Sequence, residues 1–260
     1  MNISNWIEKP PASFDLRTDI ILENATFQKT DSVIEVGVGM SQTTYKVAQL
    51  VHNITGVDIS DGLVDYLNSR KRAKNIKFIC ADVGDSHSVG RLGGPYDKAI
   101  SGDTLEHVEN PECFFRNLAA VLKPAGALVL TFPNESAPSH GITRFGTRSQ
   151  LAELILQAGF KSVEMCIVEP RPHVKALQKI FADSLIGGLR ALRHSPDRNP
   201  QVFHEVWTFS ARKKMEPIRH LIHAYWDLLH AAMAVSRPLY RLLPVQERIL
   251  DHQILIVATR

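Results

Sequence analysis

Three side chains able to accept protons or metal ions stand within one short stretch, Gly102-Asp103-Thr104-Leu105-Glu106-His107, and a further imidazole follows at His140. An imidazole titrates near neutrality, so His107 or His140 could remove the proton from a substrate hydroxyl. Alternatively, Asp103, Glu106, His107 and His140 together could hold a divalent cation that acidifies the hydroxyl. Such a mixed nitrogen and oxygen set favours zinc, manganese or cobalt over magnesium. In a third reading Glu106 and His107 only brace a turn. The sequence leaves all three open, and the candidate catalytic residues are His107 and His140.

A second pattern could bind rather than react. Val33-Ile34-Glu35-Val36-Gly37-Val38-Gly39-Met40-Ser41 runs from a strand-like segment into two glycines one residue apart. Bare backbone at the junction of a strand and a helix suits a nucleotide or a carboxylate. The dinucleotide fingerprint would need a third glycine at Gln42, and no phosphate-loop motif is present. A tight turn without a ligand is the competing reading. About 20 residues beyond the glycines, Asp58 ends a second apolar run, where a carboxylate can accept hydrogen bonds from two ribose hydroxyls. Asp82, closing a third run in Ile79-Cys80-Ala81-Asp82-Val83, is placed to receive an amino group. An adenosine-type ligand follows, with a helix cap as the alternative use of Asp82.

The elements that must position these residues show as alternation. Short apolar runs at 32–36, 54–57, 76–80, 96–101, 127–132 and 162–168 are separated by helix-like stretches at 41–51, 61–71, 111–122 and 147–158. That rhythm predicts a mostly parallel sheet with crossover helices. Pro111 stands at a first-turn position and Gly159 after the last of these helices, as helix start and stop signals. An N-terminal helix over 14–27 is marked by Leu16, Ile20, Ile21 and Leu22.

Residues 170–250 break the alternation, with thirteen Lys or Arg against six Asp or Glu. Within them, 217–235 repeats apolar residues at helical spacing, with His220, His223, Asp227 and His230 on the opposite arc. A β-branched run, 253–259, then returns as a last strand. The expected domains are therefore 1–169 with 251–260, and a helical, substrate-facing insertion over 170–250.

Bulk properties narrow the class. Hydrophobic residues form 44% of 260 and the net charge is +3, which describes a globular chain without the charge excess that nucleic acid attracts. Cys80, Cys113 and Cys166 offer neither a zinc spacing nor a disulfide framework. There is no leader pattern and no apolar run of roughly 18 residues, so a cytoplasmic protein is expected. The Arg212-Lys213-Lys214 run beside the 217–235 helix leaves room for weak peripheral contact with an anionic membrane.

Taken together, Glu35-Val36-Gly37-Val38-Gly39, Tyr96-Asp97-Lys98-Ala99-Ile100-Ser101, Leu105-Glu106-His107-Val108, Leu122-Lys123-Pro124-Ala125-Gly126-Ala127-Leu128 and Phe132-Pro133-Asn134 resemble the class I S-adenosylmethionine-dependent methyltransferases of ubiquinone-biosynthesis and natural-product type. The resemblance covers roughly 14–168 and the final strand. It implies a Rossmann-like seven-stranded α/β sheet, mostly parallel with the last strand antiparallel. It also implies S-adenosylmethionine as cofactor and S-adenosylhomocysteine as product. By carry-over, Gly37 and Gly39 pass under the methionine part with Glu35 just before them. Asp58, with Ile59 beside it, holds the ribose, Asp82 and Val83 hold the adenine, and Ser101 with Gly102 lines the methionine side. Asp103, Glu106 and His107 resemble the acidic-x-x-Glu-His pattern of metal-using relatives. Ser41 departs from the pattern by replacing the usual third glycine, which implies either a wider loop or a hydroxyl used as a cap.

The expected activity is methyl transfer to a small-molecule acceptor, by preference to oxygen. A nucleic-acid acceptor is disfavoured, because Ser101-Gly102-Asp103-Thr104 stands where base-methylating enzymes carry an Asn-Pro-Pro-aromatic motif. A non-catalytic cofactor-binding protein is the reading from another class.

Overall fold

The structure, a computed structural model, describes residues 12–39, 41–71, 73–134, 145–181, 237–248 and 253–260, with positions 228, 231, 232 and 235. Most of the 217–235 segment and all of Arg212-Lys213-Lys214 lie outside these residues. In chain order the elements are α1 (Ala12–Asn24), β1 (Ser32–Val36), α2 (Gln42–Ala48), β2 (Asn53–Asp58), α3 (Asp61–Arg70), β3 (Ile76–Cys80), α4 (Val89–Leu92) and β4 (Tyr96–Gly102). A single 3-10 turn, Leu105–His107, precedes α5 (Pro111–Val121), β5 (Leu122–Pro133), α6 (Arg148–Gln157), β6 (Ser162–Pro170), α7 (Pro172–Phe181), β7 (Tyr240–Pro244) and β8 (Gln253–Thr259).

The strands form one sheet in the order β3-β2-β1-β4-β5-β8-β6-β7. β1 pairs in parallel with β2 and β4, β2 with β3, and β4 with β5, whereas β8 runs antiparallel to both β5 and β6. The order reverses at β1 and β4, and the crevice at the carboxyl ends there is where open α/β sheets place ligands. The alternation read from the sequence becomes strands at nearly the expected positions. The sheet has eight strands rather than seven, because Tyr240–Pro244 adds β7 inside the span expected to be helical.

The strands fold where they do because most central positions are apolar on both faces. Val33, Ile34, Ile54, Val57, Ala99, Ile100, Leu128 and Leu130 are fully buried, as a sheet covered by helices on both faces requires. α5 is a representative cover. Asn110 accepts a hydrogen bond from Cys113 N at 3.0 Å, and Pro111 occupies the first turn, where its missing N–H costs nothing. Phe114, Phe115 and Leu118 then reach the core, the two rings meeting edge-on at 5.3 Å. The same helix carries Asn117, whose buried amide donates to Val83 O at 2.9 Å and Asp85 O at 2.7 Å, pinning the loop after β3. Helix packing thus places a loop at the ligand edge.

Among the described residues, 15–169 and 242–260 belong to one compact unit, and 12–14 with 170–181 and 237–241 to a second. Glu247 fixes its segment to the first unit: its carbonyl accepts from Arg148 N at 2.8 Å and its carboxylate from Ser149 Oγ at 2.9 Å, at the start of α6.

Phe114→Ala is expected to lower the unfolding free energy by about 3–5 kcal/mol through the cavity it leaves. Arg116→Ala, which breaks only the exposed pair with Glu112, should change it by under about 0.5 kcal/mol. Urea titration of both variants measures the difference.

Candidate active site

β1 ends where two glycines turn the chain left-handed, at φ 73° for Gly37 and 46° for Gly39. Gly37 N and Val38 N both donate to Val57 O, at 2.8 and 3.2 Å, so the turn stays tied to β2. The glycines differ in kind. A Cβ on Gly37 would lie 2.0 Å from Thr104 Oγ1, in the segment after β4, so this position is glycine for lack of room. A Cβ on Gly39 would meet nothing within 4 Å, so the space beside Gly39 is open. Two hydroxyls from β4 and its turn converge on the last carbonyl of β1: Ser101 Oγ donates to Val36 O at 3.0 Å and Thr104 Oγ1 at 3.3 Å. Ser101 therefore sits buried beneath the edge of the crevice.

Asp58, at the tip of β2, stands against this turn. Its Oδ2 accepts from Gly39 N at 3.2 Å and its Oδ1 from Ser60 N at 3.1 Å. Ile59 beside it is 64% exposed, an apolar side chain presented at the strand tip. Ala81 N donates to Asp58 O at 3.0 Å, which holds the end of β3 in line. Asp82 is exposed and accepts from Gly84 N at 2.8 Å, while Val83 is buried behind it. Gly37, Gly39, Asp58, Asp82 and Ser101 are thus brought to neighbouring strand tips. Ser41 also turns left-handed, at φ 59°, yet its side chain makes no cap bond to α2, so the capping role considered for its hydroxyl is not taken up.

Glu35 is the unusual group. It is buried, its Oε2 has no hydrogen-bond partner, and the buried Thr44 Oγ1 on α2 is likewise unpartnered. Burial away from water pushes its carboxyl up to about 8. The nearby Thr44 hydroxyl eases this without reaching hydrogen-bond geometry, and the Asp58 charge adds to it.

The proton-handling cluster separates. Asp103, left-handed at φ 51°, receives Arg17 Nη1 at 2.8 Å, Thr131 Oγ1 at 3.1 Å and Gln253 Nε2 at 2.7 Å. Its carboxylate holds α1, β5 and β8 together. Burial lowers the Arg17 guanidinium below its ordinary value, against the pull of Asp103 and Glu106. Glu106 is buried, while the His107 imidazole is exposed with its Nε2 3.9 Å from Glu106 Oε1. Among the described residues, no three His, Cys, Asp or Glu side chains converge as a metal set. His140 lies outside the described residues.

The sequence reading missed Arg17, Thr44, Thr104 and Gln253. Arg17 left a trace, as a lone cation beside Leu16 and one turn before Ile20 and Ile21 in an apolar helix stripe. Nothing marked Thr104.

Residues 34–130, the span from β1 into β5, match the methyltransferase domain family. Over that span the chain is similar to methyltransferase domains. It is similar to a ubiquinone biosynthesis O-methyltransferase of Coxiella burnetii, 27% identical over 127 residues that cover 48% of this chain and 53% of that protein. It is also similar to a probable S-adenosylmethionine-dependent methyltransferase of Mycobacterium tuberculosis, 25% identical over 174 residues, 63% of this chain and 62% of that one. The matched stretch spans about half the length of the first of these curated relatives. In fold the chain is similar to the [4+2]-cyclase SpnF, with a TM-score of 0.56 at 19% identity over 95% of this chain and 81% of that one. Among the described residues no helix is long and apolar enough to cross a membrane.

Two outcomes follow from this geometry. Gly37→Ala should lower thermal stability, because the new methyl collides with Thr104; Thr104→Ala in the same chain should recover part of the loss, and calorimetric melting of both reads it. For Glu35, the unfolded chain sheds its proton near 4.5 whereas the folded chain keeps it to about 8. Between these values unfolding releases a proton, so the Glu35 contribution to stability falls as pH rises. A difference in urea midpoint between wild type and Glu35→Gln should therefore change steadily across that window in favour of the variant and level off above it.

Proposed function

We propose that the chain transfers the methyl group of S-adenosylmethionine to an oxygen of a small molecule. The observation that carries the reading is the joining of Asp58 to Gly39 at adjacent strand tips, 3.2 Å from carboxylate to N–H, beside open space. A ribose diol can take both oxygens of such a carboxylate, and the bare backbone lets the amino-acid end of the cofactor lie close. The residues present fit that group: an unpartnered buried carboxyl at Glu35 matches an ammonium, and Ile59 offers an apolar face to a base.

When bound, the cofactor supplies an activated methyl and a neutral thioether leaving group. The chain is left with alignment, exclusion of water and acceptance of one proton. Asp58 would fix the ribose, Gly37 and Gly39 the backbone under the methionine part, and Asp82 with Val83 the adenine edge. Ser101 would act from below, by fixing the Val36 carbonyl, and Gly102 would lie along the methionine side. The exposed imidazole of His107, on the turn that follows β4, is the group we assign as general base, with His140 as the second candidate. Asp103 is committed to three donors, which favours base catalysis over a metal clamp on this cluster.

Oxygen as acceptor is supported by the likeness to the ubiquinone biosynthesis O-methyltransferase, and acceptor choice is assigned to the 170–250 segment. The SpnF likeness concerns the fold alone, and a fold does not fix the reaction.

Formation of S-adenosylhomocysteine with a panel of phenols, catechols and sugars tests the activity. Product formed only with amines would overturn the oxygen assignment. Asp58→Ala should weaken S-adenosylhomocysteine binding by about 1.5–3 kcal/mol in calorimetry, and an unchanged affinity would remove the ribose assignment. His107→Gln should lower kcat far more than it raises KM for the cofactor.

A further inference from the structure

Glu35 is placed as an unfinished site. It sits one residue before the end of β1, opposite Gly56 of β2 and Ile100 of β4, neither of which brings a charge or a hydrogen bond. Among the described residues, α2 brings the Thr44 hydroxyl, itself unpartnered, and the charge acting on Glu35 is the like charge of Asp58. Among the described residues, then, nothing donates to Glu35 Oε2, and the glycine turn next to it has open space beside Gly39. A buried carboxyl in that setting is neutral, and a cationic group brought to it turns the same burial into a strong attraction.

We propose that Glu35 is protonated in the free protein and gives up its proton to solvent when the ammonium of the cofactor arrives, so that cofactor binding is coupled to proton release. The proposal rests on the reading of the site as an S-adenosylmethionine site and adds its regulation by pH. The step is a simple exchange. The Glu35 O–H bond breaks, the proton passes to water and then buffer, and the carboxylate pairs with the ammonium, with Thr44 free to turn its hydroxyl towards the new charge. The like charge of Asp58 raises the cost of ionising Glu35, and hydrogen bonds from a ribose to Asp58 relieve it. Sugar and amino-acid ends therefore bind with mutual support.

Titration calorimetry of the whole chain with S-adenosylhomocysteine, in buffers of different ionisation enthalpy, tests this. At pH 7 the expected release is about 0.9 proton per ligand bound, falling to about half a proton at pH 8. The Kd should drop about tenfold between pH 6 and 7 and flatten above 8. With 5′-methylthioadenosine, which keeps the nucleoside and thioether but has no ammonium, binding should release no proton. Glu35→Gln should bind S-adenosylhomocysteine without buffer-dependent heat, and its binding of 5′-methylthioadenosine reports that the fold is intact. Binding of S-adenosylhomocysteine with a buffer-independent enthalpy overturns the proton coupling while leaving the cofactor site standing. Equal proton release with both ligands also overturns it, by assigning the proton elsewhere. Failure of both ligands to bind overturns the site and the coupling together.

Discussion

The site depends on one close approach. Gly37 and Thr104 are packed so tightly that a single methyl on the glycine would overlap the threonine hydroxyl at 2.0 Å. That contact joins the turn after β1 to the turn after β4, the two pieces of chain on either side of the switch in strand order. With Ser101 and Thr104 both donating to Val36 O, the end of β1 cannot shift without the β4 turn. The segment expected to bind cofactor and the segment expected to face the acceptor are therefore one mechanical piece, joined by sheet packing.

Against this rigid frame, two acidic side chains near the strand ends are treated in opposite ways. Asp103 is satisfied three times over, by partners from α1, β5 and β8. Removing Arg17 would leave the part-buried Asp103 charge without its cation, so the network acts as a weld. Glu35, equally close to a strand tip, has an oxygen with no partner at all among the described residues. A saturated carboxylate is committed to structure, and an unsaturated one calls for an explanation. The contrast separates two residues that composition and position alone would have treated alike.

How much of this was legible in the sequence follows from the range of the interactions. β1 at Ser32–Val36 and β3 at Ile76–Cys80 were readable to the residue because each is a short apolar run bounded by polar turns. Asp58 was readable from its distance beyond the glycines. β7 was not, since Tyr240–Pro244 carries Arg241 and Leu242 exposed and ends in proline, which weakens the strand signal in a stretch of otherwise helical pattern. The Asp103 weld was out of reach for another reason: Arg17 lies 86 residues before it and Gln253 lies 150 after it. Asp103 consequently read as a possible metal ligand. For Glu35 the type and place were visible, but its raised pKa comes from burial, and the unpartnered Oε2 has no sequence pattern.

The division of labour within the chain follows from the chemistry. A cofactor that carries its own leaving group needs a shaped niche more than a set of reactive side chains, and a niche is what converging strand tips make without further elaboration. An acceptor is a different matter, because its shape must be matched by side chains that the sheet does not itself supply. The ligand-edge residues from Glu35 to Asp103 lie in the first compact unit, whereas the run that departs from the sheet pattern and carries most of the basic excess is 170–250. A frame fixed by backbone contacts such as Gly37 against Thr104 tolerates change elsewhere in the chain.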